Sequence, residues 1–155
     1  MDSKSLQETY ALEGMCFGCG PKNDKGLRIR SFAEDDNACV CRWRPQAHHL
    51  AFPGALNGGI CATLLDCHSN WTTAWHLMRK LGAAYPPSTA TAELAVKLLR
   101  PTPMDDELIV RGRVVESSLN RAVVEAQLEA KGKVTVTSSA VFVAVKEGHP
   151  AFHRW

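Results

Sequence analysis

Asp66 lies inside the longest unbroken helical pattern of the chain, Gly58 to Lys80, and Pro53-Gly54-Ala55-Leu56-Asn57-Gly58-Gly59 runs straight into the start of that pattern. Glycines at a helix start let a ligand or another chain approach the backbone closely. The first turn offers N–H groups with no partner inside the helix, and the helix dipole favours negative charge there. A carbonyl placed at that point, such as that of a thioester, would be polarised and its tetrahedral oxyanion stabilised. A carboxylate beside the same carbonyl can deprotonate water or attack directly. Asp66, however, stands eight residues after Gly58, roughly 12 Å along the axis at ~1.5 Å per residue. One helix does not easily bring its own start and its own Asp66 to one carbonyl. A symmetric dimer resolves this, because the helix start of one subunit can sit beside the Asp of the other.

Other residues invite chemistry with less support. Cys16 and Cys19 have the spacing of a common zinc half-site. Cys39 and Cys41 are two apart on one strand face, so the favoured reading is a tight glycine-bounded turn with buried thiols and no metal. Cys61 and Cys67 fall in the apolar helical pattern and read as small core residues. His48 and His49 precede the glycine segment; a pair of partly exposed loop histidines is the plainer reading, with His49 shaping a pocket. His68 and His76 have no spaced ligand partner, and Trp71 and Trp75, at i and i+4, read as core. Arg100 and Arg121 sit at strand ends where the phosphates of a small ligand can lie.

These groups need elements to hold them. In Gly58–Lys80 the residues Ile60, Leu64, Cys67, Trp71, Ala74, Trp75 and Met78 recur at helical spacing. Asp66 is grouped away from that stripe with Ala62, Asn70 and Thr73. Gly82 and Pro86-Pro87 end the helix. Before it, Leu27–Phe32 and Cys39–Arg44 read as strands joined by the polar turn Glu34–Asn37, followed by a loop from Pro45 to Leu56. After it come four alternating series: Ala90 to Leu98, Leu108 to Val114, Ala122 to Leu128, and Val134 to Phe142. Turns are expected at Pro101–Asp106, Ser117–Asn120 and Lys131-Gly132. Period-two alternation with one apolar face describes an antiparallel sheet covered on one side. Two strands, one long helix, then four strands predict an α+β fold, a curved sheet around a central helix.

At 155 residues the chain has room for one domain with a hydrophobic core. It is read as a single unit over 1–155, with 1–26 as an N-terminal extension and cysteine-containing loop. A formal net charge of +2 is too small to argue for nucleic acid or a membrane surface. No window approaches the roughly 20 apolar residues that span a bilayer. The first fifteen residues carry Asp2, Lys4, Glu8 and Glu13 and no apolar run, so no signal peptide and a cytoplasmic location are expected.

The glycine segment resembles that of the PaaI-like acyl-CoA thioesterases of the hotdog superfamily. Their motif is His-Gly-Gly opening the central helix, with an acidic residue nine positions after the His; here Asp66 is nine positions after Asn57. Cys16-Phe17-Gly18-Cys19-Gly20 through Gly26-Leu27 is similar to the N-terminal motif of one bacterial branch, and Leu99-Arg100-Pro101 also fits. The resemblance implies a hotdog fold and hydrolysis of an acyl-CoA to a free acid and CoA. Asp66 would be general base or nucleophile. The backbone N–H of Gly58, or of Gly59, would polarise the carbonyl, and Thr91 would help orient the attacking water. His49, Arg100 and Arg121 would contact substrate. It implies no cofactor, and a homodimer or dimer of dimers. Two departures stand out: the motif His is Asn57, which donates a hydrogen bond but exchanges no proton near neutral pH, and Ala51 replaces an Asn found in some relatives. The alternatives are a non-catalytic module that binds acyl-CoA, and a hydratase or dehydratase on the same fold, whose differently spaced His motif is absent here.

Overall fold

In the computed structural model, which describes residues 3–155, the first ordered element is a short helix, α1 (Leu6–Tyr10). The Ser5 hydroxyl accepts from the Glu8 N–H while the Glu8 carboxylate accepts from the Ser5 N–H, a reciprocal cap that satisfies two otherwise orphaned donors. Gln7 is buried, and its amide exchanges hydrogen bonds with the Ser31 hydroxyl and backbone N–H at 3.1 and 2.8 Å. That ties α1 to the first strand.

The strands are β1 (Ser31–Asp35), β2 (Ala38–Trp43), β3 (Leu50–Phe52), β4 (Ala55–Leu56), β5 (Thr89–Leu98), β6 (Leu108–Ser117), β7 (Arg121–Ala130) and β8 (Lys133–Ala144); the central helix is α2 (Gly58–Leu81). Six of the strands form one sheet in the order β1-β2-β6-β7-β8-β5, with every neighbouring pair antiparallel. This is the α+β hotdog architecture that the sequence predicts. The helix lies across the sheet. Leu64, Leu65, Trp71 and Ala74 pack with Leu108, Val110, Leu128 and Val136 in one core. Burial of such side chains stabilises by about 1.5–3 kcal/mol each, offset largely by chain entropy. Gly82, at φ 63°, ends α2 in the left-handed conformation that glycine adopts without strain.

Two expectations are corrected. The first strand begins at Ser31, not Leu27, because Arg28 has φ 54° and interrupts any extended run. The backbone N–H groups of Leu27 and Ile29 instead donate to Phe17 and Gly18 carbonyls, so this stretch braces the cysteine loop. The segment Pro45–Leu56 contains a 3-10 turn (Ala47–His49) and the β3–β4 hairpin where only a loop was expected.

His68 is fully buried on α2. Its Nε2 faces the Cys39 carbonyl at 2.9 Å, which fixes the proton there, and Nδ1 accepts from the Ser31 hydroxyl at 2.8 Å. Burial pushes its pKa down to about 4. It is a satisfied neutral core histidine that fastens α2 to β1 and β2. No helix among the described residues is long and apolar enough to cross a membrane.

Candidate active site

The polar column of α2 meets the start of β5. Thr89 Oγ1 donates to Asn70 Oδ1 at 2.7 Å, and Thr91 Oγ1 donates to Asp66 Oδ1 at 2.7 Å. The first rung is buried; the second opens toward solvent, with Asp66 half-buried and Thr91 exposed. Burial pushes the Asp66 carboxyl above the usual carboxylate range, and the Thr91 hydrogen bond opposes that shift. The result is a carboxylate held by one donor, with its other oxygen available.

A bulge in β5 makes this arrangement possible. Pairing with β8 slips between Thr91 and Glu93, so one extra residue enters the strand there. A strict alternation would put Thr91 and Leu98 on opposite faces. Both meet α2: Thr91 reaches Asp66, while Leu98 Cδ1 lies 3.4 Å from where a Cβ on Gly58 would stand. Read as one unbroken alternation, the series Ala90 to Leu98 puts Thr91 on the polar face with Glu93 and Lys97.

The glycine turn lies at the other end of β5. Asn57 is the N-cap of α2, and its Oδ1 accepts from the Ile60 N–H at 3.1 Å. The Gly58 and Gly59 N–H groups have no acceptor among the described residues and point out of the helix start. The turn is held from behind: the Asn57 N–H donates to the His49 carbonyl and the Leu56 N–H to the Thr102 carbonyl, both at 2.9 Å. His49 is buried, its ring stacked on Trp43 with centroids 5.2 Å apart. Its Nδ1 accepts from the Gln46 N–H at 2.9 Å. Burial, helped by neighbouring His48, lowers its pKa. His49 is therefore a fixed support of the turn, while His48 is exposed.

The structure thus forms two separate groups, Asp66 with Thr91 and Asn57-Gly58-Gly59 with His49. Arg100, exposed, lies at the end of β5 near the second group, its N–H on the Thr135 carbonyl at 3.3 Å. Arg121 is elsewhere. It pairs with Glu116 at 3.6 Å beside the β6–β7 turn, where Lys80 near the C-terminal end of α2 bonds Ser117 and Ser118. Sequence reasoning did not single out Leu98 as the neighbour of Gly58, a closeness set by tertiary packing alone, nor the meeting of Cys67 with Cys16 and Cys19. A hollow on the sheet is lined by Lys97, Arg111, Arg113, Glu125 and Gln127 and touches neither group. Arg111 and Arg113 are already engaged by acidic neighbours, so it is a charged surface and not a place for an acyl chain.

A family profile described as the Thioesterase superfamily matches residues 53–137, a span that contains the glycine turn, Asp66 and Thr91. The chain belongs to the Thioesterase superfamily. Among solved structures, a thioesterase superfamily protein from Shewanella loihica is 29% identical, with 76% of this chain and 91% of that one covered at a TM-score of 0.64. The PaaI protein of the phenylacetic acid degradation operon of E. coli is 16% identical over 81% of this chain and 88% of its own, at a TM-score of 0.68. A Streptococcus pneumoniae thioesterase protein solved with coenzyme A is 16% identical over 76% and 85%, at a TM-score of 0.64. The two more distant likenesses speak to the fold. A search of curated proteins finds no match. Membership assigns this thioesterase-superfamily chain to thioester hydrolysis as a reaction class.

Proposed function

We propose that the protein is an acyl-CoA thioesterase in which Asp66 acts on a carbonyl held at the Gly58-Gly59 turn of a second subunit. The observation that carries this reading is the half-buried Asp66 carboxylate, oriented by Thr91 on a helix whose glycine start leaves two N–H groups open. The carbonyl oxygen accepts from those N–H groups. Asp66 removes a proton from the attacking water, or attacks the carbonyl itself to give a transient anhydride that water then hydrolyses, restoring the carboxylate. Collapse of the tetrahedral intermediate expels the CoA thiolate, and the freed acid leaves as a carboxylate. Asn57 spends its carbonyl oxygen on the helix cap, so in this scheme it positions the turn and transfers no proton.

The fold supports the pairing of subunits. β5 is an edge strand of ten residues. Leu94 and Leu98 on it, and Leu99 beyond, are exposed. Such an edge is a template for another strand. β5 runs antiparallel to the first half of α2, with Thr91 beside Asp66 at one end and Leu98 beside Gly58 at the other. Antiparallel pairing of two β5 edges about a two-fold axis sets the Asp66 end of one subunit beside the Gly58 end of its partner. Arg100 then flanks the same site, where a CoA phosphate is a fitting counter-charge; Arg121, two strands in from β5 at the Thr91 end and paired with Glu116, contacts substrate only if the ligand extends across those strands.

The test is thioester cleavage across a panel of acyl-CoAs varying in chain length and aromaticity. Turnover is expected from the wild type, with a loss of ~100-fold or more, about 2.7 kcal/mol, in Asp66→Ala. Tight binding without turnover across the panel, or a loss below tenfold in the variant, would overturn the assignment.

A further inference from the structure

The cysteine loop and α2 bring together three sulfurs that the proposed hydrolysis does not use. Cys16, Cys19 and Cys67 place their Sγ atoms within 4.8 Å of one another, with Cys16 and Cys67 3.8 Å apart. All three are free thiols. Ligands about 2.3 Å from a zinc ion at tetrahedral angles stand roughly 3.8 Å from each other. Cys19 and Cys67 are buried, and Cys16 is half-buried. Cys39 and Cys41 belong to β2 and do not join the group.

The backbone is shaped to allow this approach. A Cβ on Gly18 would stand 2.3 Å from the Cys67 sulfur, and one on Gly20 would stand 2.4 Å from the Cys16 nitrogen. A side chain at Gly18 would push the loop off α2, and one at Gly20 would open the loop's own turn. The Gly20 N–H closes the turn onto the Cys16 carbonyl at 2.8 Å, and the Leu27 and Ile29 N–H groups pin Phe17 and Gly18 at 2.8 and 2.9 Å. The sulfurs are also surrounded by donors. The N–H groups of Gly18 and Cys19 face the Cys16 sulfur. Trp71 is 1% exposed, and its indole N–H has no acceptor in hydrogen-bonding geometry yet faces the Cys19 sulfur. A buried donor without a partner calls for an explanation, and a thiolate sulfur is an acceptor that a neutral thiol hardly matches. Arg154 borders the same small hollow as Cys16, Cys19 and Trp71.

We infer that Cys16, Cys19 and Cys67 form a tri-thiolate site for a thiophilic metal ion, Zn2+ being the ion the donor set fits, with a fourth position open on the half-buried Cys16 side. The inference rests on the thiol geometry and stands apart from the thioesterase reading. Loading exchanges three S–H bonds for three S–Zn bonds: the three thiols release three protons to solvent, and the Zn2+ and three thiolates carry one net negative charge. The ion would brace the N-terminal loop against α2 one residue from Asp66.

The experiment is metal analysis of reduced protein equilibrated with Zn2+ and then desalted, with cobalt substitution as a spectroscopic probe. The expected result is about one ion per chain, with cobalt giving a thiolate-to-metal charge-transfer band whose intensity reports three sulfurs. Cys16→Ser and Cys67→Ser lose the ion, whereas Cys41→Ser, outside the cluster, retains it. Wild-type protein holding less than ~0.1 ion per chain, or retaining the ion unchanged in Cys67→Ser, overturns the site. So does a Cys16–Cys19 disulfide that re-forms after reduction in the presence of zinc. Should a variant fail to fold, the wild-type cobalt spectrum decides alone, since two thiolates in place of three refute the assignment.

Discussion

The residue that organises the site is a carboxylate balanced between two influences. Burial raises the energy of the Asp66 anion, while the Thr91 hydroxyl lowers it, and the balance leaves a stronger base than an exposed aspartate. His49 illustrates the opposite case. Its Nδ1 already accepts from the Gln46 N–H, so protonation there would set two hydrogens against each other. Burial, with neighbouring His48, holds its folded pKa below the ordinary value of 6.5. The unfolded chain takes up a proton through that range while the folded one resists, so the stability His49 contributes is intact above the ordinary value and declines as pH falls below it. Denaturant unfolding at pH 8, 6 and 5 should show a steeper acid loss in wild type than in His49→Gln. Parallel curves would show that His49 titrates alike in both states.

At the scale of elements, the helix start and the bulged edge strand carry the argument. Gly58 occupies the first position of α2, where proline is tolerated because its missing N–H has no helical partner. Asn57 before it is extended, at φ −56° and ψ 131°, as a residue preceding proline must be. Gly58→Pro should then delete one proposed carbonyl donor and leave the melting temperature nearly unchanged. Turnover is expected to fall ~100-fold or more, the usual cost of an oxyanion donor; unchanged turnover would remove Gly58 from the chemistry. Asn57→Ala should behave differently, lowering stability by about 1 kcal/mol through the lost cap. The sequence made the helix, its glycine start and four of the strands legible because their apolar periods run long. It did not reveal the β5 bulge, since an inserted residue leaves Ala92, Leu94 and Val96 looking like an ordinary alternation. Nor did it reveal the role of Leu27 and Ile29, whose alternation mimics a strand while Arg28 turns the chain. The meeting of Cys67, read as a core residue, with Cys16 stayed hidden for a third reason: their 51-residue separation is closed by tertiary packing alone.

For the whole molecule, the proposed site belongs to pairs of chains, and that has an arithmetic consequence. Asp66→Ala lacks the base and Gly58→Pro lacks the donor, so each homodimer should be inactive. A heterodimer of the two has one site built from the intact Asp66 of one chain and the intact glycine turn of the other. Random pairing after co-expression should restore about a quarter of wild-type activity, because about half the dimers are mixed and each holds one working site of two. A site complete within one chain gives no such rescue. Native mass spectrometry of the same samples shows whether the mixed dimers formed, since one substitution lightens its chain and the other makes it heavier.

The two rungs between α2 and β5 set a limit of their own. Four residues of helix advance about 6 Å and two residues of strand about 6.6 Å. The two rulers are nearly commensurate, so Asn70 with Thr89 and Asp66 with Thr91 can both be in register. The mismatch grows with each step, and the bulge directly after Thr91 breaks the series. Asp66 is thus the outermost place at which helix and strand still keep step, indexed by a buried neighbour one turn away. Replacing Thr89, which touches no substrate in this scheme, would reset the position of the carboxylate.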